Sequence, residues 1–250
     1  MRFGITERGD ASIDYSWVEK LKGMDGAILI TKNITDQFIK TVLPFKNKVI
    51  IHATVTGYGH TKLEPHVPHF KKSIEQIAKL IKVGFPKEQI VLRVDPIIPT
   101  EKGIVLCDDV LRGGYYIGLR RFRISVIDMY PHVRERFKEA KLPNPYGEGN
   151  FTASKMQFQQ LDNWISQMLI AYPGISIECC AEPALKNPTK TGCISEKDLS
   201  LLGLKNESEP SGFQRKDCLC LSCKTELLTN KYRCPNGCLY CYWKDKEEMK

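Results

Sequence analysis

Through the first three quarters of the chain, short aliphatic and β-branched runs alternate with longer stretches whose apolar residues recur every three or four positions. That alternation predicts βα units around a parallel sheet. Six strands are expected, over residues 1–5, 27–31, 49–55, 90–94, 122–127 and 175–179. Most are apolar at successive positions, as in strands covered on both faces. Between them Phe70, Ile74, Ile77, Leu80 and Ile81 share one helical face, as do Leu161, Trp164, Ile165, Met168 and Leu169. The Pro-, Gly- and Asn-rich residues 144–149 predict an exposed loop before a helix that begins near Ser154. Beyond Cys179 the periodicity fades. The expected organisation is a βα segment over residues 1–179 and a cysteine-rich segment over 180–250 that cannot build a conventional core and folds around a metal instead.

Composition narrows the class. A chain of 250 residues with 42% hydrophobic and 26% charged content is an ordinary globular sequence, neither fibre nor disordered tail. No apolar run approaches the length of a membrane span, and Arg2, Glu7, Arg8, Asp10 and Lys20 interrupt any signal-peptide pattern, so a cytoplasmic location without membrane contact is expected. Ten cysteines in a reducing compartment point to metal binding or catalysis rather than to disulfides. The net charge of +8 permits a polyanionic partner.

Cys234, Cys238 and Cys241 form a C-x3-C-x2-C run, CPNGCLYC. Three thiolates on one short loop can grip three corners of a [4Fe-4S] cluster and leave one iron open. Pro235 and Gly237 suit the tight turns, and Tyr240 is placed to cover a cofactor beside the cluster. A second group, Cys180, Cys193, Cys218 and Cys220, has Cys179 and Cys223 as neighbours and predicts a closed site, either a second Fe-S cluster or zinc. The competing reading pairs the Cys218 and Cys234 runs as zinc-ribbon knuckles, but their six thiolates exceed one tetrahedral ion. Cys107 reads as a small buried hydrophobe.

The three-cysteine loop resembles the cluster loop of radical S-adenosylmethionine (SAM) enzymes, which implies an open iron that chelates SAM. Further motifs fall in order: Thr54-Val55-Thr56-Gly57-Tyr58-Gly59, Leu63-Glu64-Pro65, Val67-Pro68, Arg93-Val94-Asp95-Pro96-Ile97-Ile98, Ile124-Ser125-Val126-Ile127-Asp128-Met129-Tyr130, Cys180-Ala181-Glu182 and Gln214-Arg215. From about Val49 to Trp243 the series is similar to a prokaryotic family of unknown function with a radical-SAM-like cysteine cluster at its C-terminus. The resemblance implies cysteines at Cys180, Cys193, Cys218 and Cys220, in support of the closed site. Val94, where an aromatic is common, and Cys223, where a serine is common, depart from it.

In barrels of βα units the active site lies at the carboxyl ends of the strands. Thr54, Thr56 and Tyr58 follow the third predicted strand, Arg93 and Asp95 the fourth, Ser125 and Asp128 the fifth, and Glu178, Cys180 and Glu182 the sixth. Tyr240, Thr54, Arg93, Asp95, Ser125 and Glu182 are candidate SAM-binding residues, although Asp95 before Pro96 also suits a plain backbone turn. Tyr58, Glu64 and Asp128 are candidate catalytic groups. His60, His66 and His69 crowd one loop without a ligand spacing, and the basic run Arg120, Arg121 and Arg123 reads as a solvated face or a phosphate contact. The fold class expected is α/β, a partial (βα)6 TIM-type barrel with a C-terminal cysteine-rich iron-sulfur segment folded across its mouth. The expected activity is SAM cleavage and hydrogen abstraction from an unidentified substrate, with an electron donor such as a flavodoxin or ferredoxin. A zinc-stabilised nucleic-acid-binding protein and a two-cluster electron-transfer protein remain as alternatives.

Overall fold

The structure, a computed structural model, describes residues 1–205, 218–222, 224–229 and 234–243. Cys223, Gln214 and Arg215 lie outside the described residues, as does the end of the cysteine-rich segment past Trp243.

Six strands alternate with helices as the pattern predicts: β1 (Phe3–Ile5), α1 (Trp17–Leu21), β2 (Gly26–Thr31), α2 (Asp36–Val42), β3 (Val49–Thr54), α3 (Phe70–Lys82), β4 (Ile90–Ile97), α4 (Glu101–Tyr116), β5 (Arg121–Val126), α5 (Pro131–Glu139), α6 (Lys155–Ala171) and β6 (Ser176–Cys179). The tail adds β7 (Thr189–Lys190), α7 (Glu196–Leu201) and β8 (Lys224–Glu226). Local chemistry sets the helix starts. Thr35, Thr100 and Ser154 each offer a side-chain oxygen to an otherwise unpaired N–H of the first turn, and Gln157 reciprocates to Ser154 in a capping box. β4 runs further than its sequence suggests, because the chain stays extended through the cis Asp95–Pro96 bond and resumes pairing with β5 after a register shift between Val94 and Ile97.

All the pairings are parallel and the order is β7-β6-β5-β4-β3-β2-β1-β8, one sheet of eight strands in an α/β fold. From β1 to β7 strands adjacent in sequence are adjacent in space, whereas β8 returns to pair with β1 at the opposite edge, an arrangement compatible with TIM-like or Rossmann-like α/β folds. β7 and β8 escape sequence analysis because they are two and three residues long and polar. The two predicted segments therefore share one sheet, whose two edges both come from the tail.

Side-chain alternation divides the strands between two layers. Leu29, Ile51, Leu92, Ile124 and Ile177 face one cluster with the helices. Phe3, Ile5, Ile28, Ile50 and Val91 face the other, closed over by Ile194, Leu199 and Leu221. The tail does contribute apolar core, contrary to the expectation from its weak periodicity. The three residues belong to a short helix, its approach and a loop, none long enough to show a period.

Candidate metal centre at the carboxyl ends of the strands

The same alternation that buries Ile50 and Val91 turns polar side chains onto the inner face further along the strands. Arg93, Arg123 and Glu178 lie in one row across β4, β5 and β6. Glu178 receives Arg121 Nε at 3.0 Å and Arg123 Nη2 at 2.7 Å, while Arg121 Nη1 reaches Asp198 at 2.9 Å. Burial works against the Glu178 carboxylate, but the Arg123 and Arg121 guanidiniums hold it down to about 2. The expected basic patch is thus dismantled: Arg121 and Arg123 are buried, and Arg120 stacks on Tyr115. His52 is fully buried on the same face, and neither ring nitrogen has a hydrogen-bond partner among the described residues. Its burial and the nearby Arg123 and Arg93 push its pKa well down and keep it neutral.

Above this layer the carboxyl ends receive the three-cysteine loop. Asp10, following β1, accepts Thr31 Oγ1 at 2.6 Å, the Lys32 N–H at 2.9 Å and Asn236 Nδ2 at 2.8 Å. Lys32, just past β2, donates from Nζ to Glu64 and to the Tyr240 hydroxyl, each at 2.7 Å. Glu64 also accepts from Thr56 Oγ1 at 2.7 Å and from the Tyr240 hydroxyl. Burial would raise the Glu64 carboxyl, but Lys32 and the hydrogen bonds from Lys32, Tyr240 and Thr56 keep it below its ordinary range. The Leu239 N–H meets the Leu63 carbonyl at 3.0 Å, and Arg136 on α5 holds the carbonyls of Cys241 at 2.7 Å and Trp243 at 3.1 Å. The loop itself turns through Gly237 at φ +63°, with Gly237 N–H on the Cys234 carbonyl and Cys241 N–H on that of Cys238.

Cys234, Cys238 and Cys241 are each partly exposed. Burial pushes the Cys234 thiol up to about 11 and the Cys238 thiol up to about 12, so both stay protonated unless a metal displaces the proton. The three sulfurs are not all within 4.8 Å of one another. Those of Cys180, Cys218 and Cys220 are, and all three residues are buried. The Cys193 thiol joins them through hydrogen bonds with Cys180 and Cys220, and its backbone N–H donates to Cys220 Sγ at 3.1 Å.

Of the other predicted residues, Thr54 is buried at the end of β3, in register with Arg93. Tyr58 directs its hydroxyl to the Ile98 N–H at 3.1 Å and its ring toward Tyr240, with centroids 6.5 Å apart. Arg93 is engaged by Asp95, its Nη2 at 2.6 Å from Oδ2. Asp95 in turn lies near enough to Lys32 to favour its ammonium form, which joins the two halves of the rim. Glu182 accepts the Val126 N–H at 3.0 Å, and Ser125 and Asp128 are half-buried at and after the end of β5. A cavity of about 320 Å³ opens beside Tyr58, Leu63, Ile98, Leu106 and Leu142, and its walls include none of Arg93, Asp95, Ser125, Asp128 or Glu182. Sequence reasoning missed Lys32, Asp10, Asn236 and Arg136. Lys32 was findable, since it occupies the same strand-end position as Thr54; Arg136 was hidden in a helix whose charges look solvated.

A parallel α/β scaffold with a buried cysteine cluster whose spacing could hold a metal ion is the class these features define. The chain belongs to the family described as a domain of unknown function, DUF1848, whose model matches residues 15–243. Among curated proteins none matches. Solved structures similar to it include the type I 3-dehydroquinate dehydratase of Clostridium difficile with covalently modified comenic acid, at 14% identity and a TM-score of 0.33 over 81% of this chain and 90% of that one. So loose a likeness carries no argument about reaction. No helix among the described residues is long and apolar enough to cross a membrane.

Proposed function

We propose that the protein is a non-standard radical SAM enzyme built on an incomplete (βα)6 TIM-type barrel, with Cys234, Cys238 and Cys241 as the ligands of a [4Fe-4S] cluster at its mouth. The observation that carries this reading is the docking of the three-cysteine loop, through Asn236 on Asp10 and Tyr240 on Glu64 and Lys32, over the strand ends where barrel enzymes keep their chemistry. Three half-exposed thiols on a fixed loop fit a cluster with one iron left for a ligand. Reduced, such a group supplies one electron that breaks a carbon–sulfur bond of SAM, releasing methionine and a 5′-deoxyadenosyl radical that takes a hydrogen atom from substrate.

The chain's own residues bind, orient and exclude water. Asp10, Lys32 and Glu64 fix the loop and shield its inner side, and Tyr240 closes the space between cluster and barrel. Thr54, Arg93, Asp95, Ser125 and Glu182 ring the mouth as groups for the amino acid and ribose of SAM, with Asp95 holding Arg93 in place. Tyr58 and Asp128 are the proposed proton-relay groups, with Glu64 in its ion pair setting the charge beside the loop. The second cysteine group holds a further metal. The reading includes a cytoplasmic location, a flavodoxin- or ferredoxin-like donor, and a substrate the barrel does not identify. With Arg121 and Arg123 buried, nothing in the site favours nucleic acid over a small molecule.

The test is iron and sulfide content of anaerobically purified protein, with reduced EPR spectra recorded before and after SAM. About four irons per chain assignable to the loop, with a signal that shifts on adding SAM, support the reading. No iron uptake, or an iron signal indifferent to SAM, overturns it, and the second outcome leaves an electron-transfer protein.

A further inference from the structure

The two edges of the sheet end beside the same four thiols. Cys180 follows β6 directly and Cys193 follows β7, the last strand on one edge. Cys218 and Cys220 precede β8, the last strand on the other. Five strands lie between β6 and β8 in the hydrogen-bonded order, yet the sulfurs of Cys180, Cys218 and Cys220 all lie within 4.8 Å of one another. The backbones meet there too. A Cβ at Gly192 would stand 2.6 Å from Cys220 Cα and closer still to the Leu219 carbonyl, so only glycine permits the approach.

The spacing of the sulfurs discriminates among metals. A single tetrahedral ion with Zn–S bonds of about 2.3 Å holds its four sulfurs about 3.8 Å apart. A cubane places each thiolate on a different iron, so its ligand sulfurs stand farther from one another. Three buried thiols inside 4.8 Å match the single ion, and Cys193, outside that spacing but hydrogen-bonded to Cys180 and Cys220, is the fourth thiol at hand. The surroundings suit the same site. The Cys193 N–H already points at Cys220 Sγ, the hydrogen bond that steadies a metal-bound thiolate. Arg93 and Arg123 act electrostatically on Cys193, and Lys224, paired with Glu7, acts on Cys220 and Cys193. Arg123 Nη1 also holds the Cys193 carbonyl at 3.2 Å.

We propose that Cys180, Cys193, Cys218 and Cys220 bind one tetrahedral zinc ion that staples the two edges of the sheet to each other. The proposal deepens the second metal site of the functional reading and does not depend on SAM chemistry. On binding Zn²⁺ the four thiols release their protons to water, and the resulting dianionic centre is buried beside cations. No position is open on the ion, so its role is to hold the fold.

The experiment compares the full wild-type chain with Cys234→Ala/Cys238→Ala/Cys241→Ala, both purified anaerobically, by metal analysis and zinc K-edge absorption. The expected result is about one zinc per chain in both proteins, bound by four sulfurs at about 2.3 Å with no neighbouring metal, and loss of the zinc in Cys218→Ser/Cys220→Ser. Iron in place of zinc in the triple variant, as a cubane or as a single ion, overturns the assignment, as does a folded wild-type chain with no zinc. If the triple variant does not fold, the zinc shell of the wild-type protein decides alone. The functional reading fails instead on iron and on the response to SAM, so the two failures are told apart by which metal is missing.

Discussion

Two groups of cysteines that look alike in sequence sit in opposite surroundings. The Cys180, Cys193, Cys218 and Cys220 group is drawn together within the protein, on a floor of paired buried charges, with backbone pressed against backbone at Gly192. The Cys234, Cys238 and Cys241 group is spread along a loop, half-exposed, and gripped from outside its own backbone by Asp10, Glu64, Lys32 and Arg136. Both are thiol-rich. What separates them is whether the scaffold surrounds the sulfurs or presents them, and that distinction divides a metal that holds structure from a metal that reacts.

The contrast breaks most severely at the charged floor. Glu178→Gln leaves Arg121 and Arg123 buried with one carboxylate, Asp198, between them, and removing one member of a buried ion pair costs about 3–5 kcal/mol. Because Arg123 also holds the Cys193 carbonyl, zinc should dissociate faster, while iron bound to the loop should be unaffected. The effect carries a pH signature. Glu178 lies at about 2 in the folded protein against an ordinary 4.5, so its stabilisation is complete above pH 4.5 and disappears as pH falls toward 2. Melting curves of wild type and variant should therefore be far apart at neutral pH and converge through that acid window. Equal separation at all pH values would show that the carboxylate's charge is not what holds the floor.

How much of this was legible depended on the length over which a signal repeats. The six strands of the βα segment, apolar even where they are as short as β1, and the capped helices after Thr100 and Ser154 were readable because apolar runs and caps agree along the chain. β7 and β8 were not, since two or three polar residues carry no period and pair with β6 and β1, distant edges of the sheet. The members of each cysteine group could be named from spacing and resemblance, but the difference between the groups could not. It rests on Gly192 against Cys220, on Arg123 beside Cys193, and on Tyr240 between Glu64 and Lys32, contacts separated by tens to hundreds of residues. Alternation placed Arg121 and Arg123 on one side of β5 without saying that this side was the interior. Only Glu178 and Asp198, on other elements, make that burial tolerable.

Each group contains a glycine, and alanine at the two positions should separate them by a smaller margin. Gly192→Ala pushes a methyl into the Leu219 carbonyl and the Cys220 Cα, backbone atoms that cannot swing aside, and such overpacking costs about 1–3 kcal/mol. The zinc site should loosen with it, seen as faster zinc transfer to a chelator. Gly237→Ala meets nothing nearer than 3.4 Å, at the His66 and Pro65 side chains, and is penalised only for its left-handed φ of +63°, about 1 kcal/mol. That variant should keep its zinc and lose iron occupancy instead. Zinc loss from Gly237→Ala, or none from Gly192→Ala, would mean that the groups are not independently built.

The smallest change tests how the loop is held. Tyr240→Phe keeps the ring against Tyr58 and removes only the hydroxyl that meets Glu64 and Lys32. The Lys32–Glu64 pair survives at 2.7 Å, so no charge is left without a partner and the cost is that of one hydrogen-bonded group, about 1 kcal/mol. Global melting should scarcely move. The loop, freed from its inner anchor while Asn236 and Arg136 still hold its two ends, should exchange its amide hydrogens faster at Leu239 and Cys241, with no change at Cys193. Protection lost equally at Cys193 would tie the loop to the zinc staple as one cooperative unit. Protection unchanged at Leu239 would leave its bond to the Leu63 carbonyl, not the tyrosine, as the contact that keeps the loop on the barrel.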